Sequence, residues 1–307
     1  MMVRNKQVKP FLKWVGGKTQ LLDKLEARLP EKIKSTKVID CYIESFVGGG
    51  ALFFYLRNRY QINKAYLIDN NQDLILTYKV IQGQASKLIK ELNLLQNKYL
   101  KFDDSDRTEF YYKIRTKYNQ QKKEVDCNKL SDIWVERASF VIFLNKTCFN
   151  GLFRQNGSGG FNVPHGRYKN PKICDSENIK KVSEVLKGAR IIRGDFAECR
   201  KYAKPGALVY FDPPYRPLNA TSSFTGYTKK GFCDNEQMRL AKLCKEFSQK
   251  EVYVLLSNSD PTNENKKDSF FDNIYSDFNI QRVLANRMVN CNGDKRGQIR
   301  ELLIANY

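Results

Sequence analysis

Short apolar runs alternate with amphipathic segments towards both ends of the chain, and this alternation predicts the strands and helices of an α/β fold. Apolar runs predict strands at residues 41–46, 65–68, 189–193, 207–211, 252–257, 280–285 and 301–307. Apolar residues at helical spacing predict helices at residues 21–29, 51–58, 73–81 and 235–249. This order of elements is typical of an open sheet covered by helices.

The middle of the chain follows a different pattern. Helical patterns with long charged faces, at residues 85–99, 108–117 and 133–143, replace the strand-helix alternation. Lysine and arginine become frequent between Lys113 and Lys129. We therefore predict a discontinuous α/β domain of residues 1–81 and 180–307, with a mainly helical domain of residues 82–179 inserted into it.

The charge balance points to a polyanionic partner. The chain has 53 Lys and Arg against 33 Asp and Glu, which gives 53 − 33 = +20. An excess of this size is typical of nucleic-acid binding, and an anionic membrane surface is the alternative. No apolar run approaches the roughly 20 residues that cross a bilayer, and no secretory segment opens the chain. We expect a cytoplasmic protein without a membrane partner.

The eight cysteines and the single histidine limit the chemistry. The cysteines are scattered without a Cys-x-x-Cys pair, so we expect reduced, mostly packed thiols. His165 is the only histidine, which argues against a Ser-His-Asp mechanism and against a metal site built from several histidines. No metal is expected, and the chemistry is left to carboxylates, aromatic rings, backbone groups or a reactive cofactor.

Asp212-Pro213-Pro214-Tyr215 directly follows the apolar run at residues 207–211. The motif therefore lies at the carboxyl end of a predicted strand, where ligands bind in open α/β sheets. A carboxylate and a carbonyl can accept the two N–H bonds of an exocyclic amine while the tyrosine ring stacks on the base. The alternative is a simple Asp-Pro turn after a strand.

A glycine turn and an acidic residue follow the first two predicted strands. Gly48-Gly49-Gly50 leads from the first strand into a helix and allows a small ligand to approach backbone amides. Asp69 ends the next strand, 69 − 50 = 19 residues after Gly50. An acidic residue near this spacing accepts ribose hydroxyls in nucleoside-binding units. The alternative is that Asp69 caps the next helix.

Gly17-Lys18-Thr19 resembles the end of a phosphate-binding loop. That motif requires a glycine five residues before Gly17, where this chain has Leu12, so a nucleotide triphosphatase is disfavoured. Trp14 and Lys18 beside the glycines could instead hold an aromatic ring and a carboxylate of a ligand.

Aromatic, amide and arginine side chains interleave with glycines in residues 145–168, the segment that we call the recognition hairpin. Arginine pairs with guanine, amides pair with adenine and an aromatic ring can enter a base step, so this composition suits reading of a DNA groove. The alternative is an irregular surface loop. We expect His165 to make a phosphate or structural contact rather than to act as an acid or base.

Polar groups also follow the later strands. Asp195 and Phe196 end the strand at residues 189–193 and could accept an adenine amine and cover a ring, although a helix start is an equally simple explanation. The polar segment of residues 216–233 predicts a mobile lid, and a basic loop contains residues 292–296.

Together these motifs resemble the Dam-type (class alpha, D12) adenine-N6 DNA methyltransferases, which include modification enzymes of type II restriction systems. The resemblance covers nearly the whole chain. It rests on residues 13–18, 44–50, 150–154, 161–164 and 212–215, in the family's order. It implies a Rossmann-like, seven-stranded, mostly parallel sheet with an inserted target-recognition domain, S-adenosyl-L-methionine as methyl donor, and double-stranded DNA as partner.

The resemblance also assigns roles to individual residues. The implied catalytic residues are Asp212, Pro213, Pro214 and Tyr215. The implied cofactor contacts are Trp14, Lys18, Phe46, Gly48, Asp69, Asp195, Phe196 and Asp212. The implied DNA contacts are Lys13, Phe149, Asn150, Leu152, Arg154, Asn156, Pro164 and Arg167. Some relatives carry tyrosine in place of Phe149, so a hydrogen bond from that ring is not expected.

The implied reaction is methyl transfer to N6 of an adenine flipped out of the duplex, within GATC, for genome methylation or for protection from a cognate restriction nuclease. We expect a monomer or weak dimer that acts on bacterial or phage DNA at the nucleoid. The alternatives are an RNA adenine-N6 methyltransferase and a non-catalytic DNA-binding regulator. Release-factor glutamine methyltransferases usually carry asparagine where Asp212 stands, and amino-cytosine enzymes usually carry serine, so both rank lower.

Overall fold

The computed structural model describes residues 7–14, 18–121, 131–157, 159–216, 232–286 and 298–307. The chain divides into two compact units. Unit 1 comprises residues 1–17, 48–58 and 69–193, and unit 2 comprises residues 18–47, 59–68 and 194–307.

The described strands form a seven-stranded sheet in the order β3-β2-β1-β4-β5-β7-β6. The strands are β1 (Val38–Ser45), β2 (Gln61–Asp69), β3 (Ala189–Arg193), β4 (Leu208–Phe211), β5 (Tyr253–Ser259), β6 (Asn279–Asn286) and β7 (Gln298–Ala305). β1 pairs in parallel with β2 and β4, and β4 pairs in parallel with β5. β7 runs antiparallel to β5 and β6. The predicted Rossmann-like α/β fold is confirmed.

The register of the central strands of unit 2 aligns their carboxyl ends. Ser45 of β1 pairs with Phe211 of β4, and Phe211 pairs with Leu256 of β5. All four residues of β4 are buried, as expected for a central parallel strand with both faces covered. Asp212, which directly follows β4, and Ser257 of β5 are therefore neighbours at the carboxyl end of β4.

The helices of unit 2 are short except for one. They are α1 (Leu22–Ala27), α2 (Glu31–Thr36), α8 (Asp234–Ser248) and α9 (Phe270–Ile274). α8 buries a stripe that includes Leu240, Leu243 and Phe247, the spacing of an amphipathic helix packed on a sheet. The predicted helix at residues 235–249 is thus confirmed.

Unit 1 is mainly helical. Its helices are α3 (Ala51–Arg57), α4 (Gln72–Lys101), α5 (Asp104–Gln121), α6 (Asp132–Thr147) and α7 (Ser176–Leu186). The 30-residue α4 is interrupted by non-helical backbone at Gln84. Asn71 caps its first turn by accepting a hydrogen bond from the Leu74 N–H at 3.0 Å. No helix in the described part of the chain combines the length and the apolar character needed to cross a membrane.

A buried ion pair joins three helices of unit 1. Arg137 of α6 is 1% exposed, and its Nε lies 2.5 Å from Asp73 Oδ1 on α4. Tyr118 of α5 donates its hydroxyl to Asp73 Oδ2 at 2.6 Å. Removal of one partner of such a pair costs about 3–5 kcal/mol, because the other charge stays buried. The pair therefore fixes how these helices pack.

The predicted domain boundary at residues 81 and 82 falls inside α4, just before the interruption at Gln84. Unit 1 contains all of residues 82–179 together with other segments. The proposed limits of the target-recognition domain therefore stay a prediction.

Candidate functional site

Asp212 lies at the carboxyl edge of the sheet in unit 2, held by two neighbours. Lys18 Nζ lies 2.9 Å from Asp212 Oδ1. Ser257 Oγ donates a hydrogen bond to the same oxygen at 2.9 Å, and the Tyr210 hydroxyl lies 2.8 Å from Ser257 Oγ. The Asp212 side chain is 20% exposed whereas that of Lys18 is only 5% exposed. The carboxylate is thus oriented by buried partners and keeps access to solvent.

Lys18 contacts Tyr215 as well as Asp212. Lys18 Nζ donates to the Tyr215 hydroxyl and lies 4.3 Å from the centre of its ring. The Tyr215 hydroxyl in turn donates to Glu301 Oε2 at 2.6 Å. Burial, and the nearby Asp212 and Glu301 charges, raise the pKa of Tyr215 far above its usual range, so the hydroxyl stays protonated as a donor.

Glu301 also belongs to this cluster, although the sequence analysis did not predict it as a site residue. It lies on β7, is 6% exposed, and its Oε2 is 3.7 Å from Lys18 Nζ. Burial raises the pKa of Glu301, and the Lys18 charge opposes that rise. The sequence signal for Glu301 was its position directly before the apolar run of residues 302–305, which the structure buries.

The two prolines fix the backbone between Asp212 and Tyr215. Pro213 is buried and Pro214 is exposed. The Pro214 carbonyl accepts a hydrogen bond from Gln237 Nε2 at 3.3 Å, and Gln237 is itself fully buried on α8. Proline fixes φ near −65°, so this turn is rigid as well as anchored.

Three phenylalanines form an aromatic group in unit 2. The Phe46 and Phe196 rings stack with centroids 5.4 Å apart and planes 28° apart. Phe232 meets Phe46 edge-on at 5.4 Å. Phe46 has a φ of 70°, a left-handed conformation that is uncommon for a bulky residue and is found at functional sites.

Arg239 of α8 connects this aromatic group to Asp195. Its guanidinium lies 3.9 Å from the centre of the Phe196 ring and donates to both Asp195 oxygens, at 2.8 and 2.7 Å. These bonds lower the pKa of Asp195. Asp195 Oδ1 also accepts the Ala197 N–H at 2.9 Å, so Asp195 does start the helical turn Phe196–Lys201.

In unit 1 a second group surrounds the glycine turn. Asp69 Oδ2 accepts the Gly48 N–H at 3.0 Å, and Oδ1 accepts the Asn71 N–H at 2.8 Å. Burial raises the pKa of Asp69, partly offset by these bonds. Because Asn71 is the residue that caps α4, the expectation that Asp69 serves only as the helix cap is wrong.

Trp14 closes the glycine turn from one side. A Cβ on Gly48 would lie 2.6 Å from Trp14 Cδ1, and Gly48 has a φ of 47°. The Trp14 ring stacks on Phe153 of the recognition hairpin with centroids 5.2 Å apart. Only glycine at position 48 allows the indole and the turn to approach this closely.

The recognition hairpin has a buried side and an exposed side. Isolated antiparallel bridges join Cys148 with His165 and Gln155 with Phe161. Phe153, Phe161 and Val163 are at most 2% exposed. The exposed members of the predicted DNA-contact set are Lys13, Phe149, Asn150, Arg154, Asn156, Pro164 and Arg167, while Leu152 is half-buried.

Two asparagines hold the exposed side in place. Asn145 accepts the Lys13 N–H at 2.9 Å and donates to the carbonyls of Lys13 and Gly151, at 2.8 and 2.9 Å. Arg154 Nε donates to Asn162 Oδ1 at 2.9 Å. Phe149, 52% exposed, projects an apolar ring from a fixed backbone. In unit 1 the structure thus places these residues on the recognition hairpin and on the Lys13 segment that Asn145 binds.

His165 is a structural residue of the hairpin. It is 9% exposed, and its ring nitrogens lie 2.7 Å from the Tyr99 hydroxyl and 3.0 Å from Thr108 Oγ1. Tyr111 stacks on the imidazole at 5.0 Å. Of the two expected roles, the structural one is confirmed.

Other predictions fall on residues outside the described ranges. These are the glycine pair at residues 16 and 17, the greater part of the predicted lid, at residues 217–231, and the basic loop at residues 287–297. Within the described ranges no group of histidine, cysteine and carboxylate residues could hold a metal ion. The six cysteines there, at positions 41, 148, 174, 199, 233 and 244, are free thiols.

Comparison with known proteins decides the family. A family model described as D12 class N6 adenine-specific DNA methyltransferase matches residues 14–289. The chain belongs to this family. Membership means that it is a DNA methyltransferase that acts on N6 of adenine, and it implies S-adenosyl-L-methionine as methyl donor.

Similar proteins match almost the whole chain. A Type II methyltransferase M.MjaIII of Methanocaldococcus jannaschii is 49% identical over 98% of this chain and 100% of its own. A Type II methyltransferase M1.LlaDCHI of Lactococcus lactis subsp. cremoris is 38% identical over 100% and 99%. A DNA adenine methylase of Vibrio cholerae is 32% identical over 97% and 96%.

Proposed function

We propose that this D12 enzyme transfers a methyl group from S-adenosyl-L-methionine to N6 of an adenine that is flipped out of double-stranded DNA, within GATC. The observation that carries the proposal is the Asp212 carboxylate at a sheet edge, oriented by Lys18 and Ser257 beside the Tyr215 ring. The chain belongs to the D12 family, and this membership gives the type of reaction, methylation of N6 of adenine in DNA.

The residues of unit 1 fit the nucleoside part of the donor. An ionised carboxylate has about four acceptor positions, and the two backbone N–H bonds at Asp69 leave capacity for ribose hydroxyls. The Cβ-free surface at Gly48 allows close approach to the backbone beside Trp14. We assign Asp69, Gly48 and Trp14 to donor binding on this basis.

The residues of unit 2 fit the adenine ring and the charged part of the donor. Phe46 and Phe196 offer aromatic surface for a planar base, and Asp195 can accept from an exocyclic amine while Arg239 holds it. Lys18 is the cation that we assign to the carboxylate of the donor. When bound, the donor supplies a methyl group on a positively charged sulfur.

Asp212 and its neighbours then grip the target base. The contacts of Asp212 in the described structure use Oδ1, so we assign Oδ2 and the Pro213 carbonyl to the two N6 hydrogens. Tyr215 stacks on the extruded ring. Because conjugation makes N6 a weak nucleophile, holding it towards sp3 geometry in line with the methyl group is the main contribution of these residues.

The recognition hairpin is proposed to read the site in the major groove. Arg154 and Lys13 are exposed on a backbone anchored by Asn145 and Asn162, and such side chains pair well with guanine. Phe149 is proposed to wedge beside the target adenine. The net charge of +20 favours binding to any duplex before the site is found.

The biological role that we propose is protection of host DNA from a cognate restriction nuclease. Two of the similar relatives are named type II methyltransferases, and the chain matches both over their full length or nearly so. Genome methylation without a nuclease partner is the competing role. A nuclease gene beside this gene, with an active product that cuts the same site, would distinguish them.

Expression in a host without adenine methylation, followed by sequencing that detects modified bases, tests the proposed function. We expect N6-methyladenine in GATC on both strands in cells with the wild-type chain, and none with Asp212→Ala. A different methylated context would overturn the GATC assignment alone. Methylation confined to RNA, or no modification with a folded wild-type protein, would overturn the proposed function.

A further inference from the structure

Glu301 brings a second buried carboxylate to the group around Asp212. It accepts the Tyr215 hydroxyl at 2.6 Å and lies 3.7 Å from Lys18 Nζ. A glutamate is almost never this deeply buried unless it is paired. Its partner, however, is a cation that already pairs with Asp212 at 2.9 Å.

The charges in this group therefore do not cancel. Asp212 and Glu301 contribute two negative charges and Lys18 contributes one positive charge, which leaves −2 + 1 = −1 when all three are ionised. Within the described part of the chain, Lys18 is the only cation within ion-pair distance of either carboxylate. An excess charge in a partly buried site acts strongly on a nearby ligand, since little water screens it.

We propose that Glu301 gives the site around Asp212 a net negative charge that favours the positively charged methyl donor over its neutral thioether product. The inference rests on the proposed function and deepens it. Reacting atoms must approach to about 3–3.5 Å, so a donor in line with an amine held by Asp212 places its positive sulfur close to this group. Glu301 contacts Lys18 and Tyr215, and its charge acts on the donor from beyond contact distance, so it is not a catalytic residue.

The direction of the Glu301 pKa agrees with this role. Lys18, Tyr215 and Asp212 are the groups that face the Glu301 carboxylate, and burial is the main cause that raises its pKa. As the pH falls through that raised value, Glu301 becomes neutral and the group loses one negative charge. The preference for a cationic ligand should then weaken.

Unit 2 contains a matched control. Glu26 accepts the Tyr60 hydroxyl at 2.9 Å and lies 4.0 Å from Lys37 Nζ. Lys37 donates to the same hydroxyl at 3.2 Å and lies 4.6 Å from the Tyr60 ring centre. This lysine-tyrosine-glutamate group resembles that of Glu301, but Asp212 is not part of it, and Arg59 Nε also lies 3.6 Å from Glu26 Oε2.

The experiment measures donor and product binding by calorimetry in wild type, Glu301→Gln, Glu301→Asp and Glu26→Gln. The ligands are S-adenosyl-L-methionine, its amine analogue sinefungin and the neutral S-adenosyl-L-homocysteine. We expect Glu301→Gln to weaken binding of the two cationic ligands about tenfold relative to the neutral one. Glu301→Asp, which keeps the charge, and Glu26→Gln should keep the wild-type ratio.

Three results would overturn the inference. Glu301→Gln could lower the affinity for all three ligands equally, which would indicate that Glu301 only shapes the site. Glu301→Gln could leave all three affinities unchanged. Alternatively, Glu26→Gln could alter the ratio of cationic to neutral ligand affinity in the same way as Glu301→Gln. Should Glu301→Gln not fold, the wild-type ratio measured from neutral to acidic pH replaces it, and a ratio that does not fall would contradict the inference. A folded wild type that binds none of the ligands would instead refute the proposed function.

Discussion

Lys18 Nζ and Asp212 Oδ1 are 2.9 Å apart, and Ser257 Oγ donates to the same carboxylate oxygen at 2.9 Å. A lysine from the start of unit 2 and a serine from β5 thus converge on one oxygen of the catalytic motif. Two contacts on Oδ1 fix the plane of the carboxylate. The other oxygen is thereby presented to a substrate amine.

We predict that Asp212→Ala abolishes methylation and leaves affinity for duplex DNA unchanged, because the basic surface and the recognition hairpin remain. Ser257→Ala should lower kcat about tenfold, since it removes one hydrogen bond that orients Asp212. Transfer of a tritiated methyl group and fluorescence anisotropy with labelled duplex measure the two effects. Residual turnover in Asp212→Ala comparable with Ser257→Ala would exclude the proposed grip on N6.

Gly151→Ala tests whether the Lys13 side chain and the hairpin must stay in close contact. Gly151 has a φ of 65°, and a Cβ there would lie 2.6 Å from Lys13 Cδ and 3.0 Å from Lys13 Cβ. A left-handed backbone costs a residue with a side chain roughly 1–2 kcal/mol before any clash. We expect kcat/KM for DNA to fall at least about tenfold while affinity for the donor product is retained.

Gly157→Ala is the control for this prediction. Gly157 belongs to the same hairpin, and an added Cβ there would meet nothing within 4 Å. Its kinetics should equal those of the wild type. Equal losses in Gly151→Ala and Gly157→Ala would show that the hairpin does not depend on the contact with Lys13.

The strands could be predicted from sequence because a buried strand needs a continuous apolar run. The prediction for residues 189–193 coincides with β3, and that for residues 207–211 differs from β4 by one residue. The break in the helical region was also predictable. Residues 73–81 and 85–99 were predicted as separate helices, and the backbone between them, at Gln84, is non-helical although α4 spans both.

The candidate site was predictable only where its residues adjoin in sequence. Asp212 and Tyr215 share one tetrapeptide, and the turn before it follows an apolar strand. Glu301 contacts Tyr215 across 86 residues of chain, and Arg239 contacts Asp195 across 44. Such pairs arise from strand order and from helix packing, which no local pattern encodes.

Arg154→Ala should relax the choice of site at one base pair. The Arg154 bond to Asn162 uses Nε, and the two terminal nitrogens are the ones that pair bidentately with guanine. Loss of such a contact costs about 1–3 kcal/mol of discrimination. Methylation rates on duplexes with single-base changes in GATC measure it.

Lys169→Ala serves as the comparison, because Lys169 is exposed near the end of the hairpin and is not assigned to a base. The substitution should weaken binding to all duplexes to the same extent and leave the ranking of their methylation rates unchanged. Unaltered ranking in Arg154→Ala as well would remove Arg154 from base reading.

His165 makes the stability of the protein depend on pH in a predictable direction. The Thr108 hydroxyl donates to the Asp104 carbonyl at 2.9 Å, so it accepts from His165 Nδ1–H, and the Tyr99 hydroxyl donates to Nε2. A second proton on the ring would sit on Nε2 and displace the Tyr99 donor. Burial, helped by the Arg167 charge, lowers the pKa of His165.

A lowered pKa means that the unfolded chain binds the proton more readily than the folded one. The stability due to neutral His165 is therefore fully present above about pH 6.5, the value in an unfolded chain, and is lost as the pH falls towards the folded pKa. Urea unfolding between neutral and mildly acidic pH should show this loss in the wild type. His165→Gln should be less stable at neutral pH and should lack that portion of the pH dependence. Because the chain has one histidine, its ring proton resonance reports the folded pKa directly, and a pKa at or above the unfolded value would contradict the prediction.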